Sequence, residues 1–302
     1  MKVDLNILSH VALDDKIFFT ENDEKQIKNQ LGGPVSYASI VFPILSVNGR
    51  CITTFGKDIP EKYLEYFSNI KNCSFEYEYS AKTTRFLHKI YPKSRLLYLL
   101  DQANNMDEFI RKFQGGKGCL VSPIYHEFTL NAVDWARKEH DYLGVDVQGF
   151  MRGLDSENKI IPLYNPKFIS DLTKEADIVK FSLKEASHFT QSKSYTEILE
   201  KLPSHCTQVV TLGEKGLLFS QKEKFYKLTA LNKIERDSTG AGDVLMTGII
   251  AKMIETDDLE KSIAFGMALA AEKVEMAEFH SLPIKNYDKS AEEILNTLEK
   301  IN

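Results

Sequence analysis

The residues with the clearest chemical potential form the stretch Asp237–Asp243, of sequence DSTGAGD, which precedes an apolar run. Its small residues allow a tight turn and a close approach of the backbone to a ligand. A helix that starts at such a turn directs unpaired N–H groups and its positive dipole end outward, which favours an anion. A carboxylate would repel a phosphate bound beside it, so its presence here needs a reason. One reason is that it takes a proton from a nucleophile that attacks the phosphate. These features fit phosphoryl transfer, with Asp243 as base and an anion hole made by the amides of Gly240, Ala241 and Gly242.

The same stretch also has a purely structural interpretation. An aspartate can cap a helix, and small residues can serve the packing of that helix. Local chemistry alone does not choose between a helix cap and a catalytic turn, so the elements that surround the stretch must decide.

The composition is that of an ordinary soluble globular chain. Of the 302 residues, 43% are hydrophobic and 27% are charged, and the length suits one large domain or two small ones. The net charge of −5 argues against a nucleic-acid partner, since no basic excess is present to neutralise phosphates. No stretch is long and apolar enough to cross a bilayer, so no membrane partner is expected. The four cysteines lack paired spacing, which disfavours disulfides and a zinc site and predicts a cytoplasmic protein.

The order of the elements predicts an α/β fold. From residue 96 onward, strand-like and helix-like segments alternate, which indicates a mostly parallel sheet covered on both faces. Before that point, Phe75, Tyr77 and Tyr79 alternate with polar residues, a period-two pattern that predicts a half-exposed flap outside the main body. Residues 21–30 are polar and are expected to form a loop. No repeat or linker interrupts the chain, so residues 1–302 are expected to form a single domain with a flap.

Several further motifs give the chain a family resemblance. A turn at Thr211–Gly216 follows a predicted strand, and its position upstream of Asp237–Asp243 resembles the ribokinase-like, or PfkB, family of carbohydrate kinases. Gly32-Gly33 resembles the diglycine of that family, and Asp14 resembles its first-strand acid. The segment 182–185, of sequence SLKE, resembles its N-x-x-E motif with serine in place of asparagine. These motifs occur in the order of the family from residue 5 to about residue 275.

The resemblance implies a three-layer ribokinase-like fold with a mostly parallel central sheet. It implies a small β-sheet lid with strands from about residues 11–20, 34–41 and 75–91. It also implies transfer of the γ-phosphoryl group of ATP to an alcohol, with Asp243 as the base and Mg²⁺ organised by Glu185, largely through water. The remaining implied contacts are those of the substrate with Asp14, Gly32 and Gly33, and those of the nucleotide with Thr211, Gly213 and Gly216.

Departures from the family pattern bear on the substrate. The asparagine that commonly follows the diglycine is Tyr37 here, and the asparagine two residues before the first-strand acid is Ala12, which argues against plain ribose. Asp146 and Gln148 lie two apart at a predicted strand end, so both are expected to face the cleft, where Arg152 would reach a phosphate or polyol. A polar loop is the alternative for these residues. The combination of D-x-Q-G-x-x-R with G-G-P-x-x-Y resembles myo-inositol kinases and archaeal sugar kinases.

Two other functions remain open at this level. A nucleoside kinase of the same family would share the motifs, and a non-catalytic sugar-binding protein would share the fold. The intact acid and glycine turn argue against a pure binding protein, because binding needs no base. The expected partner is thus a small sugar, polyol or nucleoside, and exposed strand edges in the lid would also suit a homodimer.

Overall fold

A computed structural model describes residues 2–20, 23–276 and 279–301, which form sixteen β-strands and ten α-helices. The strands are β1 (Leu5–Leu8), β2 (Ala12–Phe19), β3 (Glu24–Gly32), β4 (Gly49–Gly56), β5 (Cys73–Ser80), β6 (Thr84–Tyr91), β7 (Ser94–Asp101), β8 (Gly118–Val121), β9 (Tyr142–Asp146), β10 (Arg152–Leu154), β11 (Ile160–Pro162), β12 (Ile178–Ser182), β13 (Thr207–Thr211), β14 (Leu217–Gln221), β15 (Lys224–Leu228) and β16 (Glu299–Ile301).

The helices alternate with the strands over most of the chain. They are α1 (Pro34–Ser39), α2 (Glu61–Ser68), α3 (Asp107–Ile110), α4 (Leu130–Glu139), α5 (Pro166–Glu175), α6 (Leu183–Thr190), α7 (Tyr195–Lys201), α8 (Ala241–Thr256), α9 (Leu259–Glu275) and α10 (Tyr287–Leu295). Short 3₁₀ turns lie at Phe42–Ile44, Gln148–Met151 and Gly213–Lys215.

The central sheet confirms the predicted fold class. Its ten strands are ordered β16-β15-β14-β13-β12-β9-β8-β1-β4-β5. The seven strands from β13 to β5 run parallel, while β14, β15 and β16 are antiparallel to their neighbours. Parallel strands place their carboxyl ends at one edge, where open α/β sheets bind ligands. The sheet is therefore mostly parallel, as the resemblance to ribokinase-like proteins implies, and the site is expected at that edge.

Apolar side chains on both faces of this sheet produce three layers. In β14, Leu217 and Phe219 pack into one core with α8, α9 and α10, while Leu218 between them packs into a second core with α4 and α5. Burial on both faces explains why the central strands read as continuous apolar runs. Helix α8 is buried from Val244 to Ala251, so its amino terminus is held rigidly at the sheet edge.

A second sheet forms the lid, with its four strands ordered β3-β2-β6-β7. Strands β2 and β6 are parallel, and they pair Asp14 with Phe86 and Lys16 with His88. The hairpin β10–β11 lies beside the outer lid strand, where the amide of Leu99 donates to the carbonyl of Asn158 over 2.9 Å. The hairpin thus continues the lid at its β7 edge.

The predicted lid boundaries are correct only in part. Residues 11–20 do supply a lid strand, but residues 34–41 contain helix α1 (Pro34–Ser39) and no strand. Strand β3 ends at Gly32, Gly33 follows with φ of 86°, and Pro34 starts the helix. Of residues 75–91, the first part belongs to β5, the edge strand of the central sheet, and only β6 lies in the lid. An edge strand with one covered face has the same period-two pattern as a flap, which explains the error.

The loop predicted at residues 21–30 is also wrong where the structure describes it. Residues 24–32 form lid strand β3, while residues 21 and 22 lie outside the described ranges. Most of β3 is exposed, so it lacks the apolar alternation by which a half-buried strand is recognised. No helix within the described ranges has both the length and the apolar character needed to span a membrane.

Candidate active site

Two cavities meet at the amino terminus of α8. The first has a volume of about 740 Å³ and lies between the lid and the carboxyl edge of the central sheet, and the second has a volume of about 670 Å³ and lies beside α9. Lys180, Ser238 and Gly242 line both. Both volumes fall in the range of about 300–1,000 Å³ typical of small-molecule sites. We call them the acceptor cavity and the donor cavity.

The turn before α8 has the geometry that its sequence requires. Gly240 has φ of 81°, and a Cβ at this position would lie 2.1 Å from Cγ of Tyr37. Only glycine combines this backbone conformation with so close an approach of an aromatic ring. The amides of Gly242 and Asp243 belong to the first helical turn and have no intrahelical partner, whereas the Ala241 amide donates to the Ser238 carbonyl over 3.2 Å.

Asp243 projects from this first turn into the acceptor cavity. The hydroxyl of Ser122, at the end of β8, donates to its Oδ1 over 3.2 Å. Burial, together with the negative charge of Asp146, raises the pKa of Asp243 to about 7, although Lys180, Ser122 and Arg152 oppose the shift. A carboxylate with such a pKa is well suited to accept a proton near neutral pH.

Lys180 is a functional candidate that the motif analysis missed. It lies in β12, is 6% exposed, and its Nζ is 2.8 Å from Oδ2 of Asp146 at the end of β9. A Cβ at Gly242 would lie only 3.1 Å from the same Nζ, so the ammonium group faces the first turn of α8. The signal in the sequence was a lysine within the otherwise apolar strand segment IVKF.

The lid contributes a chain of polar side chains to the acceptor cavity. Nε2 of His88 lies 3.0 Å from Oδ1 of Asp14, and Nε of Arg95 donates to Nδ1 of His88 over 3.0 Å. Gly33 lines the cavity, but Gly32 does not; a Cβ at Gly32 would lie 2.6 Å from Oδ2 of Asp14. The absence of a side chain at Gly32 therefore leaves room for the carboxylate of Asp14. The pairing of His88 and Arg95 with Asp14 depends on strand contacts far apart in sequence, which no local motif signals.

The other predicted substrate residues also reach the acceptor cavity. Tyr37, Gln148 and Arg152 line its wall. Tyr37 is 5% exposed and packs against Gly240, so it supports the turn before α8 as well as the wall of the cavity. The backbone N–H of Gln148 donates to Oδ1 of Asp146 over 3.0 Å, which orders the loop after β9.

Glu185, the carboxylate predicted to organise Mg²⁺, lines the acceptor cavity and also has a structural role. Its Oε2 accepts from the Ser182 amide over 2.7 Å, and the Ser182 hydroxyl accepts from the Glu185 amide over 3.3 Å. This is a capping box, whose S-x-x-E signature explains the serine at position 182. The described residues contain no cluster of three or more potential metal ligands. The donor set therefore fits Mg²⁺ only if water and phosphate oxygens supply most of the ligands.

The donor cavity contains the predicted nucleotide residues. Thr211, Gly213, Gly216 and Ala241 line it. Much of its remaining wall is apolar and comes from helices α8 and α9 and from the segment after β15, with Leu231, Leu245, Met267, Ala270 and Val274 as contributors. The cavity thus combines an apolar wall with a polar mouth at the amino terminus of α8.

Two cavities that meet at one helix terminus are the arrangement expected for the transfer of a group from one ligand to another. Over residues 114–281 the sequence matches the pfkB family carbohydrate kinase domain. The chain therefore belongs to the pfkB family of carbohydrate kinases.

Solved structures of low sequence identity share this fold. A pyrophosphate-dependent kinase of the ribokinase family superposes with a TM-score of 0.77 at 20% identity, covering 95% of this chain and 99% of its own. A pyrophosphate-dependent ribokinase-family kinase complexed with a pyrophosphate analogue and myo-inositol gives a TM-score of 0.75 at 20% identity, covering 95% of this chain and 99% of its own. A nucleoside kinase of Methanocaldococcus jannaschii gives a TM-score of 0.68 at 18% identity, covering 98% of this chain and 99% of its own.

Curated relatives match over shorter regions. The ATP-dependent 6-phosphofructokinase of Thermoanaerobacterium thermosaccharolyticum is 29% identical over 115 residues, which cover 36% of this chain and 34% of that protein. The bifunctional protein HldE of Helicobacter pylori is 32% identical over 177 residues, which cover 57% of this chain and 36% of that protein. The chain thus spans about a third of the length of the curated relatives it matches.

Proposed function

We propose that the protein transfers the γ-phosphoryl group of ATP to an alcohol of a small sugar or polyol. The observation that carries the proposal is the position of Asp243 and the first-turn amides of α8 between two cavities. A hydroxyl in the acceptor cavity and a phosphate in the donor cavity would meet at this point. Catalysis would then consist of positioning and electrostatic stabilisation.

The proposed step has a simple proton and phosphate balance. The acceptor oxygen attacks the γ-phosphorus while its proton passes to a carboxylate oxygen of Asp243. The bond from the γ-phosphorus to the bridging oxygen breaks, and ADP leaves from the donor cavity. The amides of Gly240, Gly242 and Asp243 and the ammonium group of Lys180 stabilise the charge on the transferring group. The Ala241 amide, which was also predicted for this role, donates to the Ser238 carbonyl instead. Mg²⁺, which supplies charge neutralisation when bound to the phosphates, would have Glu185 as its protein-side organiser.

The phosphoryl donor differs among relatives, since two structural relatives are pyrophosphate-dependent and the 6-phosphofructokinase is ATP-dependent. The apolar wall of the donor cavity favours ATP. Leu231, Leu245 and Met267 offer apolar surface that a nucleobase would cover and that pyrophosphate would leave empty. We expect turnover with Mg²⁺ and ATP, and turnover at least about tenfold slower with Mg²⁺ and pyrophosphate. Enzymatic phosphate-transfer assays with each donor at matched acceptor concentrations measure this ratio. Equal or faster turnover with pyrophosphate would contradict the assignment of ATP.

The acid dissociation of Asp243 gives a second measurable expectation. Protonated Asp243 cannot accept a proton, so kcat/KM should rise with pH through about 7. The hydrogen bond from Ser122 lowers the pKa of this carboxyl, so Ser122→Ala should move the rising limb to higher pH. The matched control is Ser262→Ala, a buried serine of α9 whose hydroxyl donates to the Asp258 carbonyl. Superimposable pH profiles for Ser122→Ala and the control would refute this role of Ser122.

Two alternatives follow from the same site. A nucleoside acceptor would fit the fold, and the Methanocaldococcus jannaschii nucleoside kinase shares it. A purely sugar-binding protein would need no residue equivalent to Asp243. A turnover screen with Mg²⁺ and ATP over inositols, hexoses, ribose, sugar phosphates and nucleosides distinguishes them. Binding without transfer on every acceptor would favour the binding protein. A cytoplasmic location and a homodimer through the lid remain part of the proposal.

A further inference from the structure

Five lysine and arginine side chains line the acceptor cavity. Lys180 and Lys184 come from β12 and α6, and the other three come from the lid and the adjoining hairpin. Arg95 comes from lid strand β7, Arg152 from the start of β10, and Lys159 from the turn before β11. The pairing of the hairpin with the lid brings them together, because Tyr98 of β7 forms a bridge with Lys159. We call Arg95, Arg152 and Lys159 the basic cluster.

Within the described ranges, no member of the basic cluster lies within 4 Å of a carboxylate oxygen. The carboxylates on the cavity wall have other partners. Asp14 lies against His88, Asp146 against Lys180, Glu185 caps α6 and Asp243 accepts from Ser122. The acceptor cavity thus contains positive charge that no direct ion pair offsets.

Arg152 is the most constrained member of the cluster. One guanidinium nitrogen donates to the Ile124 carbonyl over 2.8 Å, and the guanidinium carbon lies 5.7 Å from the centre of the Phe86 ring. Burial lowers the pKa of Arg152. The negative charges of Glu185, Asp146 and Glu127 oppose this shift without direct contact, and the positive charge of Arg95 adds to it. A partly desolvated guanidinium without a direct carboxylate partner is costly, and an anionic ligand would offset that cost.

Arg95 lines the cavity and is positioned by a hydrogen bond to His88, which in turn lies against Asp14. Its Nε donates to Nδ1 of His88, so the proton of this imidazole lies on Nε2, facing Asp14. A further imidazole, that of His188, lines the same cavity, and its buried Nε2 has no hydrogen-bond partner in the described part of the chain. Both features indicate a polar ligand in this cavity.

Resting on the proposed kinase activity, we propose that the acceptor is a sugar phosphate whose phosphate group binds the basic cluster. The basic cluster and Asp243 line the same cavity of about 740 Å³, the cluster from the lid and hairpin and Asp243 from α8. One ligand in this cavity would present its phosphate to the cluster and its hydroxyl to Asp243. Arginine pairs with phosphate through two parallel hydrogen bonds, and a dianion matches several cations better than a monovalent carboxylate does.

The test compares sugar phosphates with their unphosphorylated parents. The pairs are fructose 6-phosphate with fructose, glucose 6-phosphate with glucose, and ribose 5-phosphate with ribose, with gluconate as the carboxylate probe. Turnover is measured with Mg²⁺ and ATP, and binding is measured by calorimetry with the donor cavity saturated by a non-hydrolysable ATP analogue. At least one phosphate should exceed its parent about tenfold to hundredfold in affinity or in kcat/KM.

A variant pair ties this preference to the cluster. In the double variant Arg95→Met, Lys159→Met, we compare kcat/KM or affinity for a sugar phosphate with that for its unphosphorylated parent. This ratio should fall about tenfold or more relative to the wild type. Both side chains are at least partly accessible, so folding should be retained. The matched control is Lys89→Met, since Lys89 lies on adjacent strand β6 with its Nζ 4.9 Å from the Tyr98 ring centre and does not line the cavity. The control should keep the wild-type ratio.

The outcomes separate this inference from the proposed function. Phosphorylation of neutral sugars with no preference for any sugar phosphate would overturn the inference and leave the kinase activity intact. Tight binding of a sugar phosphate with no transfer from any donor would support the inference and refute the kinase. A preference for gluconate over every phosphate, an unchanged ratio in the double variant, or no binding by any panel member would each overturn the sugar-phosphate assignment.

Discussion

Asp243→Asn is expected to reduce kcat by about 10²–10⁴-fold, the usual contribution of a positioned general base. Asparagine has nearly the same shape as aspartate and can still accept from Ser122, so both cavities should keep their form. It cannot accept a proton, so KM should change little while kcat falls. Steady-state kinetics with ATP and the best acceptor measure the effect, and the rise of kcat/KM near pH 7 should disappear.

The matched control for this variant lies at the other end of the same helix. Asp257 caps the carboxyl terminus of α8 with φ of 52°, a conformation that asparagine also adopts readily. Asp257→Asn should therefore retain wild-type kcat. Nucleotide binding measured by calorimetry verifies that Asp243→Asn is folded. A folded Asp243→Asn protein with more than about a tenth of wild-type kcat would rule out Asp243 as the base.

The second large effect is expected for Lys180→Met. Removal of a preorganised charge beside the transferring group typically costs about 10²–10³-fold in kcat. The same change leaves Asp146 buried without its partner 2.8 Å away, which should destabilise the fold by about 3–5 kcal/mol. Phosphoryl-transfer kinetics and denaturant unfolding measure the two losses separately.

A double variant distinguishes the two roles of Lys180. Adding Asp146→Asn to Lys180→Met removes the unpaired buried charge, so much of the lost stability should return. The lost turnover should not return, because no cation then faces the first turn of α8. Recovery of wild-type kcat in the double variant would show that Lys180 serves only to neutralise Asp146.

The turn before α8 was predictable because its sequence signals are local. Glycines, a base and the start of an apolar helix occur together in Asp237–Asp243, so spacing alone suggests an anion site beside an acid. The βα rhythm after residue 96 likewise reflects local periodicity and led to the correct fold class. Asp146 and Gln148, two residues apart at a strand end, were expected to face the cleft, and both line the acceptor cavity.

The lid and its charges were not predictable in the same way. Strand β6 pairs with β2 although about seventy residues separate them, so the contact between His88 and Asp14 depends on a pairing that no local pattern encodes. Strand β5 resembled a flap because an edge strand shows the same alternation. The short hairpin β10–β11 has little apolar alternation, and it was missed together with Lys159.

The wall shared by the two cavities has an energetic consequence. Lys180, Ser238 and Gly242 line both cavities, so a bound donor that shifts any of them also alters the wall of the acceptor cavity. Linkage requires the reverse effect to be equal: if the donor strengthens acceptor binding by some factor, the acceptor strengthens donor binding by the same factor. Through these three residues, we expect each ligand of the proposed reaction to change the affinity of the other by one common factor.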